Sequence, residues 1–276
     1  MIPILGYNEF KHCNMTSSRV KHTMKQIKDS RSTVILLIVA LVIGIAPSFG
    51  GEKSPSRCVL SNVPYVQQMK NYCGPASLTS VLRYWGLKID QTTIGKSVFD
   101  KNLQATNGAD MILFARGKGF SAYSWNSDLD DLKQKLASGF PVIVLQDSST
   151  TDKSGHYRVA TGYDDTKRVI YVNDPYEPET KSIAYDKFEA LWAPHGNWAL
   201  LACAKDRDQF KVELDEHNPV VHIDLAYVYY KRNELAAAEK ESMAALKLEP
   251  SNFCARDLFN KSSRALGAKS KSDKQK

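Results

Sequence analysis

Helical spacing of apolar residues dominates the first half of the folded part of the chain. Behind Gly74-Pro75, apolar side chains recur at helical intervals over residues 75–85 until Gly86 ends the pattern. The Gly-Pro pair suits the first turn of a helix, so Cys73 is predicted to lie at a helix N-terminus. Three further helices are predicted at residues 92–99, 109–116 and 128–137.

The pattern changes to that of β-strands further along the chain. A short β-rich segment at residues 59–66 carries Pro64 and is predicted to form an edge strand. Consecutive strands are predicted at residues 141–145, 157–163, 168–172 and 198–204. A tight turn at residues 164–167 joins the middle two. Helices followed by antiparallel strands predict an α+β domain over residues 57–206.

The composition shifts to Ala, Glu, Lys and Leu from His217 onward. Small and aromatic residues lie where a tetratricopeptide repeat packs its helices, so residues 216–266 are predicted to form a separate repeat, closed by a helix at residues 251–266. Asn233 stands where the repeat usually has its turn glycine, and a plain helical hairpin packed on the domain is the alternative. The repeat would offer a surface for a protein partner, and residues 267–276 are predicted to be a basic disordered tail.

An uncharged apolar run of twelve residues, 34–45, follows a basic stretch. It is too short to cross a hydrocarbon core of ~30 Å comfortably, and small residues near its end suit signal-peptidase cleavage before Gly51. Residues 1–50 are therefore predicted to be a secretory signal, with a basic region of ordinary length if translation starts at Met24. The alternative is an uncleaved anchor through residues 34–46. Both interpretations place the folded part outside the cytoplasm, as a periplasmic or extracellular protein.

The net charge of +7 is confined to the two ends of the chain. Residues 1–50 hold six Lys and Arg against two acidic residues, and residues 267–276 hold four Lys against one Asp, which accounts for the whole excess. The intervening residues are neutral, so the charge does not indicate a nucleic-acid partner. With 43% apolar residues, the chain can bury one good-sized core beside a small second unit.

Cysteines are few, which excludes a disulfide scaffold. Cys13 would be removed with the signal, and the cysteines at positions 58, 73, 203 and 254 would remain. A Cys58–Cys203 bridge is a hypothesis that would leave Cys73 as a free thiol. The spacing of Cys and His residues does not provide a zinc site, and no metal or other cofactor is expected.

Cys73 has the position of a nucleophile, between a polar loop and the start of a helix. A free thiol has a pKa near ~8.5, so a reactive one needs the helix N-terminus and a nearby imidazolium to become a thiolate. His156 follows Gly155 at the entry to the strand predicted at residues 157–163 and is the candidate base. His195, in a loop, is its rival. A buried structural thiol is the alternative interpretation of Cys73.

Two further groups complete the predicted site. Asp174 follows the next strand, and adjacent antiparallel strands would bring it to His156 as the group that orients the ring. The alternative role of Asp174 is that of a turn residue before Pro175. The oxyanion of a tetrahedral intermediate needs donors, which the Cys73 amide and a glutamine amide just upstream would supply.

The order Gln, Cys-Gly-Pro-Ala, Gly-His-Tyr and Asn-Asp-Pro resembles the papain-like cysteine peptidases of the double-glycine leader (bacteriocin-processing) type over residues 59–205. The resemblance implies a papain-like α+β fold, with N-terminal helices packed on an antiparallel sheet and here a small helical-hairpin tail. It also implies Cys73 as nucleophile, His156 as general acid and base, and Asp174 as the orienting group.

The glutamine of the oxyanion hole has two candidates. Gln67 stands six residues before Cys73, as in papain-like enzymes generally. Gln68 fits the Val-Pro-Tyr-Val-x-Gln pattern of the stand-alone members and is the preferred one.

The expected function is that of an exported cysteine peptidase acting on a peptide or protein substrate. Leader-clipping members of the family are fused to an ATP-driven transporter, whose membrane spans and phosphate-binding loop have no counterpart in this chain. A stand-alone peptidase is therefore expected, with pocket residues in loops such as residues 147–155. One alternative is a cell-wall amidase or acyltransferase on the same scaffold, and another is a non-hydrolytic peptide-binding module.

Overall fold

An antiparallel seven-stranded sheet forms the centre of the computed structural model, which describes residues 55–177 and 180–273. Its strands are β1 (Arg57–Val59), β4 (Phe120–Asn126), β5 (Val142–Asp147), β6 (Gly155–Asp164), β7 (Val169–Asn173), β8 (Thr180–Ala184) and β9 (Trp198–Ala204), while β2 (Phe99–Asp100) and β3 (Ala105–Thr106) form a separate hairpin. The order across the sheet is β4-β9-β5-β6-β7-β8, and β1 pairs with β6 beside this path. The strand that carries His156, β6, therefore has neighbours on both sides.

Helices pack against this sheet and continue into a helical tail. They are α1 (Cys73–Tyr84), α2 (Gln91–Val98), α3 (Gly108–Gly117), α4 (Leu129–Ala137), α5 (Tyr185–Trp192), α6 (Pro219–Lys231), α7 (Leu235–Leu248) and α8 (Phe253–Asp273). α1 packs on β5, β6 and β9, and α4 packs on β1, β5 and β6. Helices packed on an antiparallel sheet, with further helices behind, confirm the expected α+β papain-like fold class.

The first helix forms for the reasons that its sequence indicates. Pro75 lies in the first turn of α1, where a missing N–H removes no hydrogen bond of the helix. Every residue of α1 from Gly74 to Leu82 is buried, so tertiary packing stabilises the helix. Gly86 follows its end with a φ of 88°, a conformation that glycine adopts without strain.

The helical tail packs on the domain through α6. Val221 and Leu225 of this helix belong to the same buried core as the sheet. Between them, the Asp224 carboxylate accepts hydrogen bonds from Ser124 Oγ over 2.6 Å and from Trp198 Nε1 over 2.8 Å. Apolar burial and polar bonds therefore both join α6 to the strands β4 and β9.

The turn between α6 and α7 depends on Asn233. This residue adopts a φ of 61°, the left-handed conformation for which asparagine is the commonest substitute for glycine. α7 packs against both α6 and α8, and a small second apolar cluster lies among the three helices. The assignment of residues 216–266 as a tetratricopeptide-like repeat stays a prediction.

The edge strand predicted at residues 59–66 is wrong in its extent, because β1 ends at Val59. Beyond Val59, side chains donate hydrogen bonds to main-chain carbonyl groups that would otherwise be available to a neighbouring strand. Asn173 Nδ2 donates to Val63 O over 3.2 Å, and Ser80 Oγ donates to Pro64 O over 2.5 Å. Pro64 itself has no N–H to offer a neighbouring strand.

The hypothesised Cys58–Cys203 disulfide is also wrong, because both residues have free thiols. Cys58 lies on β1, which pairs with β6, whereas Cys203 lies on β9, which pairs with β4 and β5. A disulfide needs Cα atoms within about 7 Å of each other, a distance met by neighbouring strands but not by strands that do not pair. The Cys58 thiol instead donates to the Leu136 carbonyl oxygen over 3.5 Å.

Some predicted segments lie outside the described residues. These are the signal at residues 1–50, with its start at Met24, and residues 274–276 of the basic tail. The rest of the tail was predicted to be disordered, and this is wrong, because α8 continues to Asp273. Within residues 55–177 and 180–273, no helix combines the length and the apolar character needed to cross a membrane.

Candidate active site

Cys73 is the first residue of α1, and its side chain is partly exposed. Gln91 of α2 holds the loop that leads to it, since its Nε2 donates to Gln67 O over 2.7 Å and its Oε1 accepts from Met69 N over 2.9 Å. The chain then passes through Asn71 at a φ of 63° before the helix begins. The thiol is therefore presented at a helix N-terminus by a loop that the protein fixes in place.

Gly74 allows the start of α1 to approach the β2–β3 hairpin. A Cβ at this position would lie 2.8 Å from Thr106 Cβ, closer than side chains normally pack. The hydroxyl of Tyr157 donates to the Thr106 carbonyl oxygen over 3.3 Å, and Tyr157 adjoins His156. The hairpin thus contacts Gly74, which follows Cys73, and Tyr157, which follows His156.

His156 reaches the thiol from the start of β6. Its ring interacts with the Cys73 thiol, and its Nε2 lies 2.7 Å from Asp174 Oδ1. Because Nε2 faces the carboxylate, Nδ1 is the ring nitrogen left for the thiol. The histidine is only 7% exposed and stands opposite Gln146 of β5, so the strand pairing fixes the ring between its two partners.

Asp174 directly follows β7, where Asn173 pairs with Val159 of β6. Its Oδ1 also accepts from the Tyr176 main-chain N–H over 3.0 Å. Its Oδ2 accepts from Arg158 Nε over 2.7 Å. A carboxylate that binds three donors has little freedom to rotate away from the imidazole.

The charges of these groups favour a thiolate–imidazolium pair. Burial would raise the pKa of Cys73, but the hydrogen bond and charge of His156, with two backbone N–H groups, lower it below the usual value. Burial would lower the pKa of His156, but hydrogen bonds to Asp174 and Cys73 raise it to about 9. Burial would likewise raise the pKa of Asp174, but His156 and Arg158 hold it well below the usual range.

The two candidate glutamines differ in burial. Gln67 is exposed, whereas Gln68 is half-buried and its Oε1 is buried without a hydrogen-bond partner among the described residues. The main chain of Gln68 is anchored, because its N–H donates to Pro175 O over 2.8 Å. Gln68 is thus the glutamine with a buried side-chain oxygen, and its main chain is bonded to the residue after Asp174.

His195, the rival base, forms a different pair. It lies in the short 3-10 helix at Ala193–His195, and its Nε2 is 3.0 Å from Asp147 Oδ1. His156 is the histidine that interacts with Cys73. Lys153 Nζ, 3.1 Å from Asp147 Oδ2, contacts the same carboxylate. In the ranges that the structure describes, no group of three His, Cys, Asp or Glu side chains is arranged to hold a metal ion.

Arg158 is the residue of this site that the sequence analysis did not single out. It lies two positions after His156 on β6, and side chains two apart on a strand share one face. That spacing was the available signal, because a charged side chain beside a buried histidine on a central strand needs a buried partner. The partner is Asp174.

A family model described as "Peptidase_C39 like family" matches residues 60–200, half of the chain, and covers the whole of this site. The chain belongs to the Peptidase_C39 like family. It is accordingly a cysteine-type peptidase by family, and the α+β architecture of helices on an antiparallel sheet agrees with that assignment.

Relatives of this C39-like chain include one bacterial protein and several solved structures. Uncharacterized protein YvpB of Bacillus subtilis (strain 168) is 24% identical over 196 residues, 55% of this chain and 76% of the relative. A putative C39-like peptidase from Bacillus anthracis has a TM-score of 0.46 and 17% identity, covering 54% of this chain and 98% of its own. The peptidase domain of Streptococcus ComA, a bi-functional ABC transporter of a quorum-sensing pathway, has a TM-score of 0.43 and 21% identity, covering 52% and 99%. The family assignment rests on the family match itself.

Proposed function

We propose that this C39-like protein cleaves peptide bonds with Cys73 as nucleophile, His156 as general acid and base, and Asp174 as the orienting group. One observation carries the proposal: the Cys73 thiol, at a helix N-terminus, interacts with the His156 ring, whose Nε2 lies 2.7 Å from Asp174 Oδ1. A nucleophile, a base in contact with it and a group that orients the base are what covalent acyl transfer requires.

The reaction begins when the Cys73 thiolate attacks the carbonyl carbon of the scissile peptide bond. His156 then donates its proton to the leaving amine as the C–N bond breaks, which leaves a thioester on the sulfur. A water molecule attacks the thioester while the neutral imidazole takes up its proton. Release of the carboxylic acid restores the thiolate–imidazolium pair.

Two donors would stabilise the oxyanion of the tetrahedral intermediate. The first is the Cys73 main-chain N–H, which lies in the first turn of α1, where a helix has no acceptor of its own for its N–H groups. The second is the side-chain amide of Gln68. We prefer Gln68 to Gln67 because it is half-buried and anchored to Pro175, whereas Gln67 is exposed.

The experiment that tests the proposal compares full-length protein with Cys73→Ala and Cys203→Ala under reducing conditions. A peptide library should be cleaved by the wild type and by Cys203→Ala, and not by Cys73→Ala, with mass spectrometry locating the cut bonds. Cys203 is a suitable control because burial raises its pKa to about 12, which makes it a poor nucleophile. Absence of cleavage by the wild type would contradict the peptidase proposal.

Two other outcomes would point to other functions. Release of fragments from purified peptidoglycan by the wild type but not by Cys73→Ala would identify a cell-wall amidase. Binding of a library peptide that survives in Cys73→Ala, without cleavage by either protein, would identify a non-hydrolytic binding module.

We also propose that the peptidase works outside the cytoplasm. The support is the apolar run at residues 34–45, which follows a basic stretch and precedes small residues. Residues 24–51 fused to a reporter that folds only after export should yield active reporter, and N-terminal sequencing of the exported full chain should begin at Gly51. An inactive reporter would contradict export, and an active but unprocessed chain would identify an anchor.

A further inference from the structure

Arg158 is a buried cation, and each nitrogen of its guanidinium donates a hydrogen bond. The residue is only 5% exposed. Its Nη1 donates to Gln146 Oε1 and to the Asp147 carbonyl oxygen, each over 3.2 Å, and its Nη2 donates to the Ser148 carbonyl oxygen over 2.7 Å. Its Nε donates to Asp174 Oδ2 over 2.7 Å. Three of these acceptors are neutral, so Asp174 provides the negative charge in this set.

The Asp174 carboxylate lies between two cationic groups. His156 Nε2 is 2.7 Å from Oδ1 and Arg158 Nε is 2.7 Å from Oδ2, so each oxygen has its own partner. With the Cys73 thiolate, the groups form a path of alternating charge from sulfur to imidazolium, carboxylate and guanidinium. Two anions then balance two cations in a buried site where an unbalanced charge would be costly.

We propose that Arg158 is a positioning residue that shares the Asp174 carboxylate with His156, fixing the plane of the carboxylate and limiting how strongly it retains the imidazolium proton. This inference rests on the function proposed above, because the proton in question is the one that His156 donates to the leaving amine. An acid that holds its proton too tightly is a poor donor near neutral pH.

The electrostatic surroundings of His156 support this role. The groups that interact electrostatically with the ring are Cys73 from α1, Asp174 from the end of β7, Arg158 from β6 itself and Asp152 from the loop between β5 and β6. The carboxylate of Asp147, at the end of β5, pairs with His195 and Lys153 instead. Burial and the charge of Arg158 lower the pKa of His156, whereas Asp174 and Cys73 raise it, so Arg158 is the cation of this set that opposes the two anions.

A purely structural role for Arg158 predicts the opposite change. If the guanidinium only anchored the carbonyl groups of Asp147 and Ser148, its loss would loosen Asp174 and weaken the hydrogen bond to His156. The pKa of His156 would then fall. If Arg158 shares the carboxylate, loss of its charge leaves Asp174 to His156 alone, and the pKa of His156 rises. The direction of the change therefore separates the two roles.

The test is a titration of His156 in full-length protein with carbon-13-labelled histidine, followed by NMR. A His156→Gln protein identifies the resonance. Arg158→Gln removes the charge and retains an N–H donor for Asp174, so its midpoint should rise by about one unit above the wild-type value of about 9. Arg158→Lys retains the charge, so the midpoint of its His156 titration should lie closer to the wild-type midpoint than that of Arg158→Gln does.

The matched control is Lys135→Gln. Lys135 is a fully buried cation bonded to Asp131 over 2.8 Å and to Glu213 over 2.6 Å, so this variant also removes a buried charge, on α4 and outside the Cys73–His156–Asp174 path. Its His156 midpoint should match the wild type. If Arg158→Gln does not fold, Arg158→Met carries the same expectation, because it removes the charge without leaving an unpaired amide.

An unchanged or lower His156 midpoint in the folded Arg158→Gln or Arg158→Met protein would overturn the proposal. An equal rise in Lys135→Gln would do the same, since it would show a general response to the loss of charge. The titration needs no substrate, so it gives its result even if peptide cleavage is never observed.

Discussion

The main-chain N–H of Gln68 donates to the Pro175 carbonyl oxygen over 2.8 Å, which bonds the loop before Cys73 to the residue after Asp174. The hydroxyl of Tyr65 also reaches this carbonyl, over 3.4 Å. The segment before α1 and the segment after β7 are therefore one unit, although about a hundred residues separate them. This bond fixes the main chain of Gln68 next to the residue that follows Asp174.

Replacing Gln68 with Ala should lower kcat by about 10²–10³, the usual effect of losing one oxyanion donor. KM should change little, because the donor acts mainly on the transition state. Gln67→Ala is the matched control and should retain nearly wild-type kcat, since its side chain is exposed. Steady-state kinetics on any cleaved library peptide measures both. The reverse ranking would assign the oxyanion hole to Gln67.

Alkylation of Cys73 by iodoacetamide should be rapid below the pH at which an ordinary thiol reacts, because His156 lowers the pKa of the thiol. In His156→Ala, this stabilisation is lost while burial still raises the pKa, so the rate profile should move to higher pH. Mass spectrometry of the modified peptide against pH measures the shift. Identical profiles for the two proteins would mean that no thiolate–imidazolium pair forms.

Peptidase activity should fall as the pH rises through about 9. The pKa of His156 is raised to that value, and the imidazolium that donates to the leaving amine exists only below it. The measurement is the alkaline limb of kcat/KM against pH. A limb that lies near the ordinary histidine pKa of about 6.5 would show that Asp174 and Cys73 do not stabilise the imidazolium.

Asp174→Asn should lower both activity and stability. It leaves Arg158 buried without a carboxylate, and breaking a buried ion pair in this way costs about 3–5 kcal/mol in the free energy of unfolding. It should also lower the pKa of His156, because the anion that stabilises the imidazolium is gone. Urea unfolding and histidine titration by NMR measure the two effects.

The control for stability is Asp186→Asn, whose Asp–Arg pair with Arg168 lies on the surface at 3.1 Å. Exposed pairs contribute about 0–1 kcal/mol, so this variant should unfold near the wild-type urea concentration. Equal stability losses in the two variants would contradict the buried pair at Asp174.

Asp224→Ala should destabilise the junction between the tail and the sheet. It leaves Ser124 Oγ and Trp198 Nε1 without their acceptor, and unsatisfied buried donors cost about 1–3 kcal/mol each. Asp224→Asn keeps an acceptor oxygen and should lose less. Asp257→Ala on α8, which removes an exposed ion pair with Lys261, is the control in the same urea experiment. No loss in Asp224→Ala would mean that the tail docks by apolar burial alone.

The strands that the sequence analysis left unpredicted have local patterns that do not resemble strands. β4 carries Ser121 and Ser124 among its buried residues, so polar side chains interrupt its apolar alternation. Their hydroxyls bond to Asp208 and Asp224, which come from far along the chain. β8 is a mostly exposed edge strand with almost no apolar signal. Both strands form because their backbone N–H and C=O groups hydrogen-bond to a neighbouring strand. Local propensity does not reveal this pairing.

The sequence by itself determined the helix that begins at Cys73, the strands that carry His156 and precede Asp174, and the order of these residues along the chain. These features depend on local signals: a Gly-Pro pair, helical spacing, β-rich runs and turn residues.

The sequence also predicted that Asp174 would meet His156, but only the tertiary structure decided which other groups meet. It paired Asp174 with Arg158 as well as with His156, placed His195 against Asp147 and kept Cys58 apart from Cys203. The physical reason is that strand register and burial, set by the whole sheet, determine which buried charges become neighbours. A buried cation such as Arg158 then requires a carboxylate that the sequence places sixteen residues away.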